Sequence, residues 1–277
     1  MCWTLCELIR LPEWGEHITF KGGTSLSKAW KLIERFSEDI DLVIDREFLG
    51  FGGETLSGNQ QRHLKEECSR RIHVDIAPAL QARFRELLPA GSAWTLEAAS
   101  EAEDRDRQTL LFTYPTVFAT PSTSLRGVVK LEMGARSQTI PFAMASIQPY
   151  VAEAISEVIA DGTFQVRTVA ARRTFWEKAL LLHEETYRLK APGQPVRAHV
   201  VEHRQVFFRY NWIDYTTMRR GSLRLLPFDE QLAAWRQDYD AMRAEMFFGE
   251  APAFDVLLED VGEFARRFNA DGRVEKP

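Results

Sequence analysis

With 277 residues, 45% of them hydrophobic and 27% charged, the chain has the composition of a soluble globular protein and can bury a sizeable core as one domain or two. A formal net charge of −5 and a pI near 5.8 exclude a global field that draws nucleic acid, so a polynucleotide partner needs a local basic patch. Cys2, Cys6 and Cys68 are too few and too irregular for a disulfide framework or a zinc site, no apolar run approaches the roughly 20 residues that span a bilayer, and no signal-peptide pattern opens the chain, all of which points to a reducing cytoplasm.

Residues 3 to 11 read as a helix ended by Pro12, because Trp3, Leu5, Leu8 and Ile9 keep helical spacing, and Ile18-Thr19-Phe20 reads as a short strand. A Lys21-Gly22-Gly23 turn follows, and Ser27, Ala29, Leu32, Ile33 and Phe36 predict a short helix beyond it. Asp39 to Asp45 is the next strand. FLGFGGETLSGNQ then reads as a Gly-rich surface loop, in which Gly50, Gly52 and Gly53 form a hinge rather than a second phosphate loop. Ile72, Ile76, Leu80, Phe84 and Leu87 predict an amphipathic helix from Arg71 to Leu88 despite Pro78, with His73 and Asp75 on different faces. Strands at Trp94 to Glu97 and Thr109 to Tyr114 flank the charged connection EAEDRDRQ, and Val128 to Met133 is a further strand. A helix over Pro149 to Ile159, a last strand over Phe164 to Val169 and a strong helix over Ala171 to Tyr187 come next. From Leu225 the chain is a helical tail, with Leu232, Trp235, Tyr239, Met242 and Met246 and then Phe254 to Phe268 in helical register. The expected architecture is α+β: a small mixed-sheet core over residues 1–165, then a mostly helical C-terminal domain over residues 166–277.

The chemistry concentrates in Phe20 to Leu42, FKGGTSLSKAWKLIERFSEDIDL. Gly22 and Gly23 lack Cβ atoms, so the chain can turn sharply and bring backbone N–H groups to phosphate oxygens, while Thr24, Ser25 and Ser27 add hydroxyls. A helix starting at the turn presents its positive end to such a phosphate. In the strand that follows, residues i and i+2 share a face, so Asp39 and Asp41 point the same way. Two like charges on an apolar strand call for a neutralising cation, and hard oxygen ligands favour Mg²⁺ or Mn²⁺. Two-metal phosphoryl transfer places its ions about 3.5–4 Å apart and needs a further carboxylate from a neighbouring strand, for which Glu132 is the candidate. A Gly-Gly pair or an Asp-x-Asp alone is ordinarily a turn or a strand end; together, in this order and at this separation, they point to a nucleotide site. The pattern G-x-x-x-x-G-K-[ST] is absent, since Ser27 precedes Lys28, which argues against a P-loop kinase or ATPase.

Two features of the later chain stay open on residues alone. Lys178 falls near the apolar stripe Phe175, Ala179 and Leu182, where it either snorkels to Glu177, Glu184 or Glu185 or meets a ligand's negative charge. Arg167, Arg172, Arg173, Lys178, Arg188, Lys190, Arg197, Arg204 and Arg209 outnumber the acids over their stretch, which is either a charged helix face or a phosphate-binding surface. Phe207, Phe208, Tyr210 and Trp212 beside them fill a core or stack bases.

KGGTSLSK followed by RFSEDIDL resembles the AbiEii/AbiGii toxin-like nucleotidyltransferases, a branch of the polymerase-beta-type superfamily that includes the MenT-like toxins. The resemblance continues through LEMGARS at Leu131 to Ser137, RTFWEK at Arg173 to Lys178, HVVEHRQVFFRYNW and MFFGEAPAFDVLLEDVGEF, and so spans most of the chain; its first motif is the specific one. It implies a nucleotidyltransferase core that uses a nucleoside triphosphate with Mg²⁺ or Mn²⁺ and transfers the nucleotidyl group to an acceptor hydroxyl. It implies RNA as acceptor, above all the tRNA 3′ end, and a type IV toxin–antitoxin or phage-defence setting with a cognate antitoxin protein. In this reading Asp39, Asp41 and Glu132 hold metal, with Glu132 also accepting the hydroxyl proton. Lys21, Gly22, Gly23, Thr24, Ser25 and Lys28 surround the triphosphate, and Lys178 is the helix lysine that contacts it. Arg167, Arg172, Arg173, Arg204 and Arg209 are the RNA-contact candidates.

The sequence departs from the family in one place. Members carry a late Arg-His-x-x-Asp-Leu motif where this chain has RLKAPGQPVRA, and neither His203-Arg204 nor Asp214 matches it in position. Members also carry more sequence ahead of the position of Met1, so the expectation is of a chain shortened there. Two alternatives stand beside the main reading: a nucleotidyltransferase that modifies protein, and a nucleotide-binding module without turnover.

Overall fold

A computed structural model describes residues 1–53, 56–115, 127–136, 139–154, 162–187 and 223–271. The chain divides into two compact units, Met1–Thr174 and Phe175–Pro277. The first contains a seven-stranded mixed sheet: β1 (Ile18–Lys21), β2 (Asp39–Ile44), β3 (Thr95–Ala98), β4 (Thr109–Thr113), β5 (Val128–Gly134), β6 (Phe142–Ile147) and β7 (Phe164–Val169), in the order β3-β4-β5-β2-β1-β7-β6. β2 runs parallel to β5 and β1 parallel to β7, while the other neighbours are antiparallel. The boundary expected at residue 165 falls inside β7, and the division comes after Thr174.

The even-numbered positions of β2, Ile40, Leu42 and Ile44, are almost wholly buried and join Phe20, Leu131 and Met133 in the main hydrophobic cluster. That cluster includes Leu5 and Leu8 of α1 (Cys2–Ile9) and the buried seam of a long helical rod. The rod runs from α3 (Gly58–Arg71) through a π-helical turn (Ile72–Ile76) into α4 (Ala77–Leu87). It corrects the expectation of a helix starting at Arg71. Ser57 forms a capping box with Gln60, so the helix starts at Gly58, well over three turns earlier, inside what reads in the sequence as a loop. Leu64, Cys68, Ile72, Ile76, Leu80 and Phe84, every fourth residue, are fully buried. A strict four-residue step drifts around a helix of 3.6 residues per turn. The wider π turn winds the seam back toward the sheet, and it sits directly before Pro78, which cannot donate a helical hydrogen bond.

A second correction concerns the segment after the Gly-Gly turn. α2 (Gly22–Lys28) is much shorter than the apolar spacing to Phe36 suggests. Lys31 takes a left-handed φ of 52°, Leu32 is left 63% exposed, and the indole of Trp30 donates to the Val169 carbonyl at 3.0 Å, so contacts with β7 win over helical propensity. The edge strand β6 does not announce itself in the sequence either. Of the helix expected over Pro149 to Ile159, the described part is α5 (Tyr150–Ala154).

α6 (Ala171–Tyr187) crosses the division into the second unit, which also holds α7 (Asp229–Met246) and α8 (Phe254–Asp271). There Ala179, Leu223, Leu225 and Ala265 form a small core lined by Trp176, Val261 and Phe268. The three cysteines are free, and among the described residues no helix is long and apolar enough to cross a membrane. The segment HVVEHRQVFFRYNW, and with it Arg204 and Arg209, lies outside the described residues.

Candidate functional site

β1 ends in the Gly-Gly turn, and α2 carries the chain back over the face of β2 that holds Asp39 and Asp41. Gly22 is required there twice. Its φ of +77° suits glycine, and a Cβ built on it would stand 2.1 Å from Asp41 Oδ2 and 2.7 Å from Asp41 Cγ. Turn and carboxylate are therefore built against each other. Gly23 differs, since the nearest atom to its would-be Cβ is Arg35 Nη2 at 3.7 Å.

Thr24 and Ser25 are buried, and their hydroxyls brace the turn from inside. Ser25 Oγ donates to the Gly22 carbonyl at 2.7 Å, and Thr24 Oγ1 donates to Ser37 Oγ at 2.7 Å, which in turn accepts from the Asp39 amide at 3.3 Å. What these two residues offer a ligand is a fixed backbone. Lys28 is buried at the end of α2 with its Nζ 3.0 Å from the centre of the Tyr150 ring, and the Tyr150 hydroxyl is 3.0 Å from Ser27 Oγ.

The register assembles the charges. Parallel pairing of β2 with β5 sets Asp41 beside Glu132 and Asp39 beside Lys130, and antiparallel pairing with β1 sets Lys21 beside Asp41. Neighbouring strands are about 4.8 Å apart, so these side chains share one face at close range. Asp41 and Glu132 are 7% and 8% exposed, and Lys130 Nζ pairs with Glu132 Oε1 at 2.7 Å. Among the described residues no group of three His, Cys, Asp or Glu side chains converges closely enough to hold an ion. Lysine supplies charge where a cation would. The donor set nevertheless suits one: three carboxylates on adjacent strands of one face, beside a turn that a single Cβ would obstruct.

Sequence reasoning missed Arg35, Ser37, Lys130 and Tyr150. Lys130 was within reach, since strand period two puts it on the face of Glu132. Arg35 was hidden by the assignment of its segment to a helix. Burial draws the affinity of its guanidinium for its proton down, while Asp39 and Asp41 oppose this.

The remaining candidates are spread further. Arg167 on β7 lies over the Phe142 ring, its guanidinium carbon 5.0 Å from the ring centre, and Arg172 is exposed on the first turn of α6. Arg173 Nη1 donates to the Ile140 carbonyl. Lys178 is half-buried on α6, in the second unit. His73 meets the Arg107 carbonyl at 3.0 Å and takes part in no carboxylate cluster.

A family model described as nucleotidyl transferase AbiEii toxin, type IV TA system, matches residues 3–198. Among solved structures the chain is similar to MenT4, a nucleotidyltransferase toxin from Mycobacterium tuberculosis H37Rv. The identity is 15% and the TM-score 0.45, over 98% of this chain and 85% of that one. No curated protein matches.

Proposed function

The chain belongs to the AbiEii family of nucleotidyltransferase toxins of type IV toxin–antitoxin systems, and on that footing we propose that it transfers a nucleoside monophosphate from a nucleoside triphosphate to the 3′-terminal hydroxyl of an RNA, foremost tRNA. The observation that carries this reading is the meeting of the Gly22 turn with Asp41, and of Asp41 with Glu132 on the neighbouring strand.

The backbone of Gly22 and Gly23, fixed by Thr24 and Ser25, receives the triphosphate, and Lys21 and Lys28 counter its charge; for Lys178 the family resemblance is what carries a triphosphate role. Asp39, Asp41 and Glu132 are the residues that would hold Mg²⁺ or Mn²⁺, which would neutralise phosphate oxygens and orient the reacting groups. Glu132 also accepts the proton of the attacking hydroxyl. For either role Lys130 must release it, so the Lys130–Glu132 pair is the contact that loading of the site exchanges. Arg167, Arg172 and Arg173 meet RNA phosphates, and the same role is proposed for Arg204 and Arg209, which lie outside the described residues. The reaction takes place in the cytoplasm, with a cognate antitoxin restraining it, in a toxin–antitoxin or phage-defence setting.

Incubation with triphosphates labelled at the α or the γ phosphate, together with Mg²⁺, tRNA and total protein, tests the reading on a single gel. Nucleotidyl transfer retains the α label on tRNA and never the γ label. Retention of the γ label would mean phosphoryl transfer, and α label on protein alone would favour the protein-modifying enzyme.

A further inference from the structure

Arg35 brings a cation into the cradle that the reading above leaves without a task. Its Nε is buried and has no hydrogen-bond partner, its Nη2 stands beside Gly23, and the acids that act on it are Asp39 and Asp41. An unmet buried donor is costly, and a guanidinium stays charged even where burial opposes it. The backbone delivers it there deliberately. Lys31 turns the chain through a left-handed conformation after α2, and Ser27 Oγ donates to the Arg35 carbonyl at 3.1 Å. The thread between the Gly-Gly turn and the carboxylate strand is thus pinned so that the fork of Arg35 reaches the turn.

A planar guanidinium can meet two phosphate oxygens at once, as it can the two oxygens of a carboxylate, so one fork can serve either partner. We propose that Arg35 is a phosphate-binding residue of this site, which rests as counter-charge to Asp39 and Asp41 and passes to the phosphates lying on the Gly22-Gly23 turn when a nucleotide and its cation enter. This rests on the nucleotidyltransferase reading and adds to it a named residue with two opposed roles. Arg35 competes with a cation for the carboxylates and cooperates with the nucleotide. Its loss therefore moves the two affinities in opposite directions, which a merely structural arginine would not do.

The test is calorimetry on the full chain with Mn²⁺ alone and with each nucleoside triphosphate plus Mn²⁺, for wild type, Arg35→Met and Arg35→Lys, with melting temperatures recorded alongside. Arg35→Met is expected to bind triphosphate about ten- to a hundredfold more weakly, the weight of a charge-assisted contact, and Mn²⁺ alone more tightly. Arg35→Lys keeps the charge but loses the fork, so it falls between the two and serves as the deciding variant if the methionine protein does not fold. Equal triphosphate affinity in wild type and in the folded variants overturns the inference. So does parallel weakening of Mn²⁺ and triphosphate, which would make Arg35 a brace for the carboxylates. A wild type that binds no triphosphate with Mn²⁺ would instead sink the nucleotidyltransferase reading itself.

Discussion

Gly22→Ala is the sharpest perturbation the site offers, because its cost can be worked out in two parts. The first is backbone strain: an alanine held at φ +77° loses roughly 1–2 kcal/mol relative to glycine. The second is displacement. A methyl group 2.1 Å from Asp41 Oδ2 and 2.8 Å from Asp41 Cβ cannot be accommodated by rotating the carboxylate alone, so the side chain must retreat by about 1 Å to reach ordinary contact. A misplacement of that size near reacting groups costs on the order of a hundredfold in rate. The expected outcome is a folded protein with a lowered melting temperature and at least a hundredfold loss of nucleotidyl transfer. Gly23→Ala is the control: its new methyl meets only the flexible end of Arg35 at 3.7 Å, so its melting temperature stays close to wild type. Thermal melts and initial rates on the three proteins check both parts. A Gly22→Ala protein with wild-type turnover, or a Gly23→Ala protein destabilised as much, would refute the claim that the turn and Asp41 are built against each other.

Asp41→Asn keeps the side-chain shape but removes ligand charge, so transfer falls by several kcal/mol of barrier while the melting temperature holds; turnover near wild type at saturating Mg²⁺ would remove Asp41 from the metal set. Lys178→Ala weakens triphosphate binding by about ten- to a hundredfold and Lys190→Ala does not, and equal affinities by calorimetry would return Lys178 to a packing role. Arg172→Glu, at an exposed position, weakens RNA binding and reduces the slope of log affinity against log salt by about 0.7–0.9, whereas an unchanged slope in filter binding removes it from the RNA surface. In the second unit, His183 Nδ1 lies 3.0 Å from the Arg224 amide nitrogen and 3.2 Å from its carbonyl oxygen, and burial lowers its pKa from the usual 6.5. A base whose folded pKa is lowered contributes stability that is fully present above pH 6.5 and is lost as pH falls below it. Melting temperature should therefore drop on acidification from pH 7 to 5, and His183→Gln should flatten that drop.

Much of the site was legible because period two in a strand is a strong geometric statement. Asp39 and Asp41 had to share a face, and the burial of Ile40 and Leu42 in the main hydrophobic cluster shows why the other face was unavailable to them. Glu132 entered as a candidate because two-metal chemistry needs a further carboxylate on a neighbouring strand, and the parallel register of β2 and β5 sets it beside Asp41, which no local pattern encodes. The helix expected through Phe36 was lost to tertiary contacts, namely the Trp30 bond to Val169 and the Ser27 bond to the Arg35 carbonyl, which local spacing does not encode. Arg35 went unseen for the same reason. β6 was missed because Phe142 and Met144 are exposed, so its pattern carries no clean alternation, and its place at the sheet edge leaves it one neighbour.

We propose that the Asp39, Asp41 and Glu132 face transfers a nucleotidyl group to a terminal RNA hydroxyl. The most direct measurement uses α-labelled triphosphates, Mg²⁺ and two tRNA pools, one intact and one with its 3′-terminal ribose oxidised by periodate, with wild-type protein and Asp41→Asn. Label is expected on intact tRNA only, with wild-type protein only. Equal labelling of the oxidised pool, or label that persists in the Asp41→Asn reaction, would contradict it.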